Sequence, residues 1–201
     1  MNDTRLYNGS LTAEQFLFYE IRIVAPLRLD KVALDDAIEK IKRDNLFQYP
    51  TERQVARMTR ACWKRIDALD NDALVYELAN ASNAVAKQIN LYAIMRQNRL
   101  VWDVMTRLIG EKYRRLDFSY SRRDLNVFFS ALQEENPRVA SWSEKTVEKI
   151  KGVLGRMLVE TGYLDTPRSA ALNRFLLCRE LEEGVRANGD LDALPAFNCF
   201  N

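Results

Sequence analysis

The sequence predicts a mainly all-α protein. It should comprise an N-terminal helical bundle over residues 1–118 and a helix-turn-helix domain over residues 119–201, winged by at most a short β-hairpin. Three observations lead there. Apolar residues recur at steps of three and four through most of the 201 residues, the spacing that lines one face of a helix. Alternation at two, the mark of a half-buried strand, is nearly absent. Helix-start signals recur along the chain, each a hydroxyl residue followed three positions later by an acid or amide.

The first helix is expected from Thr12, where Gln15 completes a T-x-x-Q box, to the residues before Pro26. Proline lacks the backbone donor and crowds the preceding turn. A second begins at Asp30 and turns Val32, Leu34, Ala37, Ile38 and Ile41 inward. Pro50 breaks the chain, and Thr51 with Gln54 opens a third. Asn71-Asp72 precedes helices over about 73–82, 84–96 and 99–115.

The domain seam is expected at 116–121, LDFSYS. Ser121 and Asp124 then start SRRDLNVFFSALQEE, which buries Leu125, Phe128, Phe129 and Leu132 and ends at Asn136-Pro137. The short RVASW leads to Ser143, an N-cap residue. The helix over 144–161 buries Val147, Ile150, Leu154, Met157 and Leu158, and Gly162 sits where a C-terminal stop belongs. GYLDTP and LNRFLLC are positioned to pair as a hairpin around Pro167-Arg168-Ser169. Helix, short helix, longer helix and hairpin is the order of a winged helix-turn-helix.

Composition excludes several function classes. With 47% hydrophobic and 29% charged residues, the chain is globular rather than disordered. It contains no histidine, the side chain that titrates nearest neutral pH, so nucleophile–His pairs are ruled out. The three cysteines, Cys62, Cys178 and Cys199, are widely separated, which argues against a disulfide framework or a Cys/His zinc site. Neither GxGxxG nor GxxxxGK[ST] occurs; Gly152 and Gly155 sit inside a helical pattern without the lysine a phosphate loop needs. No catalytic residue, metal, cofactor or small-molecule substrate is therefore expected. With no apolar leader and no 18-residue apolar run, the chain reads as a cytoplasmic protein without membrane contact.

Charge is more informative in its placement than in its total. The net charge is only +2, but residues 51–160 carry nineteen Lys/Arg against fourteen Asp/Glu, while both flanking regions are acidic. Within TERQVARMTRACWKR, Arg53, Arg57, Arg60 and Lys64 fall within about 60° of one another on a helix, with Val55, Met58, Cys62 and Ile66 roughly opposite. Like charges at i, i+4 repel by a few tenths of a kcal/mol, so a solvated face usually intersperses acids. This row has none within it. Arginine forks suit phosphate oxygens, and several aligned contacts release counterions together. An ordinary solvated face is the competing reading.

A second cluster, EKYRRLDFSYSRRD, sets Lys112, Arg114, Arg115, Arg122 and Arg123 around Tyr113, Phe118 and Tyr120. Basic residues among aromatics can grip a backbone and stack bases; the alternative is that the aromatics plug the seam. A third group lies at the start of the longer helix, where Ser143, Lys145, Thr146 and Lys149 face away from the apolar stripe, as recognition-helix residues do. No arginine stands among them to read guanine, so sequence specificity is expected to be weak. Arg138 in the turn and Arg168 at the wing tip are natural phosphate contacts in the same scheme.

NPRVASWSEKTVEKIKGVLGRMLVETGYLD, after a helix ending in FFSALQEE, resembles the C-terminal part of the BrxA family, the small helical component of BREX bacteriophage-defence systems. LTAEQFLFYEIRIVA, RQVARMTRACWKRIDAL and AVAKQINLYAIMRQNRLVWDVM fit the same family in order and spacing. The resemblance implies an all-helical bacterial protein with helix-turn-helix character. Such a protein acts with a methyltransferase, an ATPase and other BREX proteins to block phage replication, with duplex DNA as its expected ligand. Family members have also been compared with a helical RNA-binding antitermination factor, so RNA stays open as a ligand. The family carries no active-site motif, and the acidic tail from Leu181, ending in ALPAFNCFN, has no place in its pattern. The alternatives are an interaction scaffold for other BREX proteins and an RNA-binding factor.

Overall fold

The computed structural model describes residues 6–200; the first five residues of the expected N-terminal domain, and Asn201, lie outside them. The described chain is helical, with no β-strand among the described residues beyond one isolated antiparallel bridge, Ser119 to Ala171. Its residues group into two compact units. One takes the chain up to Gln15, Asn98–Leu177 and Val185 onward; the other takes Phe16–Gln97 and Cys178–Gly184. The 1–118 and 119–201 division expected from the sequence differs from this grouping. Residues 98–118 join the residues after them, because their apolar side chains pack with later segments of the chain.

The Phe16–Gln97 unit is built from α1 (Phe18–Leu29), α2 (Leu34–Arg43), α3 (Glu52–Leu69), α4 (Asp72–Asn80) and α5 (Asn83–Gln97). Helix α3 packs against α1, α2, α4 and α5. Helix α5 is buried on nearly every side, from Ala86 through Ile89, Leu91, Tyr92 and Ile94 to Met95, as a central helix must be. The first helix departs from expectation at both ends. Only Ser10–Thr12 forms a 3-10 turn near Thr12, and α1 starts at Phe18 after Leu17 adopts a left-handed φ of 50°. That break leaves the Phe16 carbonyl outside the helix and inside the core. Buried Arg65 Nη1 and Asn90 Nδ2 both donate to it at 2.8 Å, satisfying an acceptor that would otherwise be stranded. Pro26 lies within α1 rather than after it, one turn before the helix ends. Asp30 caps α1 and Lys31 turns left-handed (φ 56°), so α2 starts at Leu34 instead of Asp30.

In the other unit, α6 (Arg99–Asp103), a π-helical segment (Val104–Gly110) and α7 (Glu111–Arg114) run on from one another. Then follow α8 (Arg122–Glu135), the one-turn α9 (Pro137–Ala140) and α10 (Glu144–Glu160). The Ser121/Asp124 capping box and the Ser143 N-cap form as expected, and Gly162 takes φ 85° after α10. The expected hairpin does not become a ladder. Asn173 N donates to Tyr163 O at 2.8 Å, but its side-chain amide turns to Gly162 O and Asp165 Oδ1 at 3.1 and 2.9 Å. The segment after the turn pairs instead with the residues before α8: Tyr120 N to Ala170 O at 2.9 Å and Leu172 N to Phe118 O at 2.7 Å.

The acidic tail has a defined place. It forms α11 (Arg179–Ala187) and a 3-10 segment, Leu191–Phe197, whose Ala193, Leu194, Ala196 and Phe197 are buried. This segment packs on the π-helical stretch. A Cβ on Gly110 would sit 3.1 Å from Ala196 N, so glycine is what allows the two backbones to meet there. Tyr163 Oη donates to Ala196 O at 2.9 Å, and its ring stacks on Phe175 at 4.2 Å, with Phe197 beyond at 5.9 Å from Phe175.

Candidate nucleic-acid interface

Helix α3 is opened by Thr51, whose Oγ1 accepts from Gln54 N at 3.3 Å. Val55, Met58, Cys62, Ile66 and Leu69 then face the core, which by helical geometry turns the opposite stripe to water. Arg53, Arg57, Arg60 and Lys64 are all exposed. None of the four makes an ion pair or side-chain hydrogen bond among the described residues. The nearby acid Asp67 is engaged by Arg28, at 3.0 Å. The row is thus four uncompensated cations along about three turns of helix. The fifth cation of this helix, Arg65, belongs to the core and not to the row: it is 1% exposed.

The 111–124 cluster is arranged differently. Tyr113 and Tyr120 are buried, and Tyr113 Oη donates to Asn173 O at 2.7 Å; these rings are core, not stacking platforms. Arg114 and Arg115 both reach Glu111, at 3.1 and 4.0 Å. Arg122 is ion-paired with Glu148. Lys112 is drawn in, its side chain only 11% exposed, between Asp117 (2.8 Å) and Asp124 (2.9 Å). Of this cluster only Arg123 is exposed with no ionic partner among the described residues.

At the start of α10, the Ser143 hydroxyl accepts from Thr146 N at 3.3 Å and lies 2.9 Å from Thr146 Oγ1. Thr146 is half-buried, and its methyl lies 3.9 Å from where a Cβ on Gly9 would sit. Both hydroxyls are therefore used locally. Lys145 and Lys149 stay exposed, as do Arg138 in α9 and Arg168 in the turn after α10, and none of these four side chains is ion-paired among the described residues. Arg156, which is in none of the three charge clusters, is likewise exposed and makes no ion pair among the described residues. It stands four positions after Gly152, so helical spacing alone places it on the glycine face.

Residues 5–189 match the sequence profile of the BrxA family. The chain belongs to the BrxA family. It is 30% identical over 187 residues to the BREX protein BrxA of Bacillus cereus (strain H3081.97), covering 92% of this chain and 93% of that one. It is 23% identical to the BREX protein BrxA of Escherichia coli O9:H4 (strain HS), covering 96% and 91%. The crystal structure of an uncharacterized protein from Magnetospirillum magneticum has the same fold, with a TM-score of 0.81 at 20% identity over 95% of this chain and 97% of that chain. As a member of this family, the protein is a component of a BREX phage-defence system. No helix among the described residues is long and apolar enough to cross a membrane.

Around Lys112 the charged groups are shifted by one another. Hydrogen bonds from Lys112 and Ser119 hold the half-exposed Asp117 carboxyl down at about 2. Burial pushes Asp124 up, but Lys112 and Ser121 outweigh it and its value falls below the usual one. Burial likewise works against charged Lys112, and its two carboxylate partners overcome it, raising its value above 10.5. Depressed carboxyl values mean the unfolded chain takes up protons first as the pH drops. The stability this trio supplies is complete above about 4, where ordinary carboxylates are ionised, and is lost as the pH falls towards 2. Lys112 adds a contribution present below its ordinary value and lost as the pH rises through its raised one. A Lys112→Met variant is expected to melt below the wild type at neutral pH, with the gap closing as the pH is taken down to about 2. Melting curves across that range check it; a gap constant with pH would show that the lysine acts by packing alone.

Proposed function

We propose that this BrxA-family protein binds duplex DNA, without catalysing a reaction, mainly through phosphate contacts and with weak sequence specificity. The observation that carries the reading is the row Arg53, Arg57, Arg60 and Lys64, exposed and uncompensated along one helix face. Folding gains nothing evident from that arrangement, since adjacent like charges repel. A polyanion turns the repulsion into attraction and releases condensed counterions. Arg123, Arg138, Lys145, Lys149 and Arg168 are further contacts in this proposal, with Arg114, Arg115 and Arg122 available once released from Glu111 and Glu148. Other BREX proteins are its expected partners, in the cytoplasm.

A winged helix-turn-helix reading of residues 119–201 is supported by the order α8, α9, α10 and by the backbone pairing on both sides of residues 170–173. In that arrangement α10 is the recognition helix. Ser143 and Thr146, bonded to one another, spend part of their hydrogen-bonding capacity locally, which favours backbone contact over direct readout.

A salt-titrated gel shift on unrelated duplexes tests the proposal. Similar affinities on all sequences are expected, with log K falling steeply against log salt. Salt-insensitive binding, or none at low salt, would overturn it. Competition with structured RNA at matched salt separates DNA from RNA recognition, and loss of co-purifying BREX proteins with unchanged DNA affinity in a row mutant would favour the scaffold reading.

A further inference from the structure

Gly152 and Gly155, dismissed as a phosphate loop, open onto a groove of about 380 Å³. The start of α8, the middle of α10 and the turn at 167–170 form its walls, and no carboxylate lines it. Four cations do: Arg122, Lys151, Arg156 and Arg168. Two of these are committed elsewhere, Arg122 to Glu148 and Lys151 to Asn126 and Glu148, at 2.8 and 3.1 Å. Arg156 and Arg168 are exposed and make no ion pair or side-chain hydrogen bond among the described residues. Arg156 lies back along the glycine face, its Nη1 4.0 Å from where a Cβ on Gly152 would stand.

Packing does not demand these glycines. A Cβ on Gly155 would meet nothing within 4 Å, and one on Gly152 would make only an ordinary contact. Neither has a left-handed φ. Glycine inside a helix weakens it, so what their bare surface supplies is room: the backbone of α10 is open beside two unengaged guanidinium groups. The floor is partly apolar, with Leu125 among its lining residues. Apolar floor and cationic rim together match the sugar and phosphate of a nucleotide unit.

We propose that this groove seats the sugar–phosphate backbone of one strand of the bound duplex, with Arg156 and Arg168 on consecutive phosphates and the glycines allowing close approach. The inference rests on the DNA-binding reading and adds to it a specific seat. The guanidinium forks supply charge-assisted, two-pronged contacts to phosphate oxygens.

The test is fluorescence anisotropy of the full chain on an arbitrary duplex across a salt series, for wild type, Arg156→Ala, Gly155→Leu and the α3 double variant Arg53→Glu/Arg57→Glu. Arg156→Ala is expected to weaken binding about fivefold and to lower the salt slope by about one unit. Gly155→Leu, which fills the groove with a good helix former, should weaken binding at least as much while melting no lower than the wild type. Wild-type affinity and slope in both groove variants, with binding lost in the α3 variant, would overturn the groove and leave the DNA reading standing. Absence of salt-dependent binding in the wild type would instead remove both. Should Gly155→Leu melt low, Arg156→Ala, a surface change, decides the matter by itself.

Discussion

Reversing two charges on α3, Arg53→Glu with Arg57→Glu, is expected to lower duplex affinity at least tenfold, to the same degree on every sequence. Each phosphate contact contributes about 0.9 to the salt slope, so losing two should flatten it by nearly two units. The two carboxylates also repel the phosphates, adding to the loss at low salt and shrinking as salt screens them. Folding should be untouched, because both side chains are exposed and without ionic partners among the described residues. Relief of the repulsion within the row is worth a few tenths of a kcal/mol in favour of the variant. The readouts are the slope of log K against log salt and a melting curve. A variant that keeps wild-type slope and affinity would remove α3 from the interface.

Phe197→Ala is expected to destabilise the unit that contains it by about 3–5 kcal/mol, the usual cost of emptying a fully buried phenylalanine site. Phe197 is 0% exposed, and its ring lies 5.9 Å from that of Phe175, which in turn stacks on Tyr163. In a protein of this size such a loss should lower the melting point by on the order of 10 °C. Phe200, three residues later and 46% exposed, is the control: Phe200→Ala should change stability by no more than about 0.5 kcal/mol. If the two variants melt alike, the tail is not part of the core. The larger consequence is for truncation: removing residues after 190 would uncover Gly110 and the π-helical segment it belongs to.

Local signals located most helices. Thr51 with Gln54, Ser121 with Asp124, Ser143 and Gly162 each act through bonds spanning three or four residues, so their meaning survives whatever surrounds them, and the structure uses all four. Where expectation failed, distant contacts had intervened. Leu17 breaks the first helix because Arg65 and Asn90, far along the chain, satisfy the carbonyl it frees. The hairpin after α10 gives way to pairing with residues before α8. ALPAF has no place in the helical spacing of three and four because it forms a short 3-10 segment with a proline, and the glycine that receives it is more than eighty positions away.

The candidate interface divides in the same manner. The cationic row on α3 follows from helical periodicity alone, since 100° per residue settles which side chains share a face. Which cations remain available does not. Lys112, Arg114, Arg115 and Arg122 look equivalent to Arg123 in the sequence, yet Glu111, one turn back, takes Arg114 and Arg115, Asp117 and Asp124 close on Lys112, and the fold brings Glu148 to Arg122. Sequence by itself determined that this chain is helical, where most helices begin, and which faces carry charge, because those properties arise within a turn or two of backbone. Only the tertiary structure decided that Asp124 reaches Lys112 and Glu148 reaches Arg122, which glycines border open space and where the tail lies, because those pairs and the groove are made by groups that chain distance keeps apart.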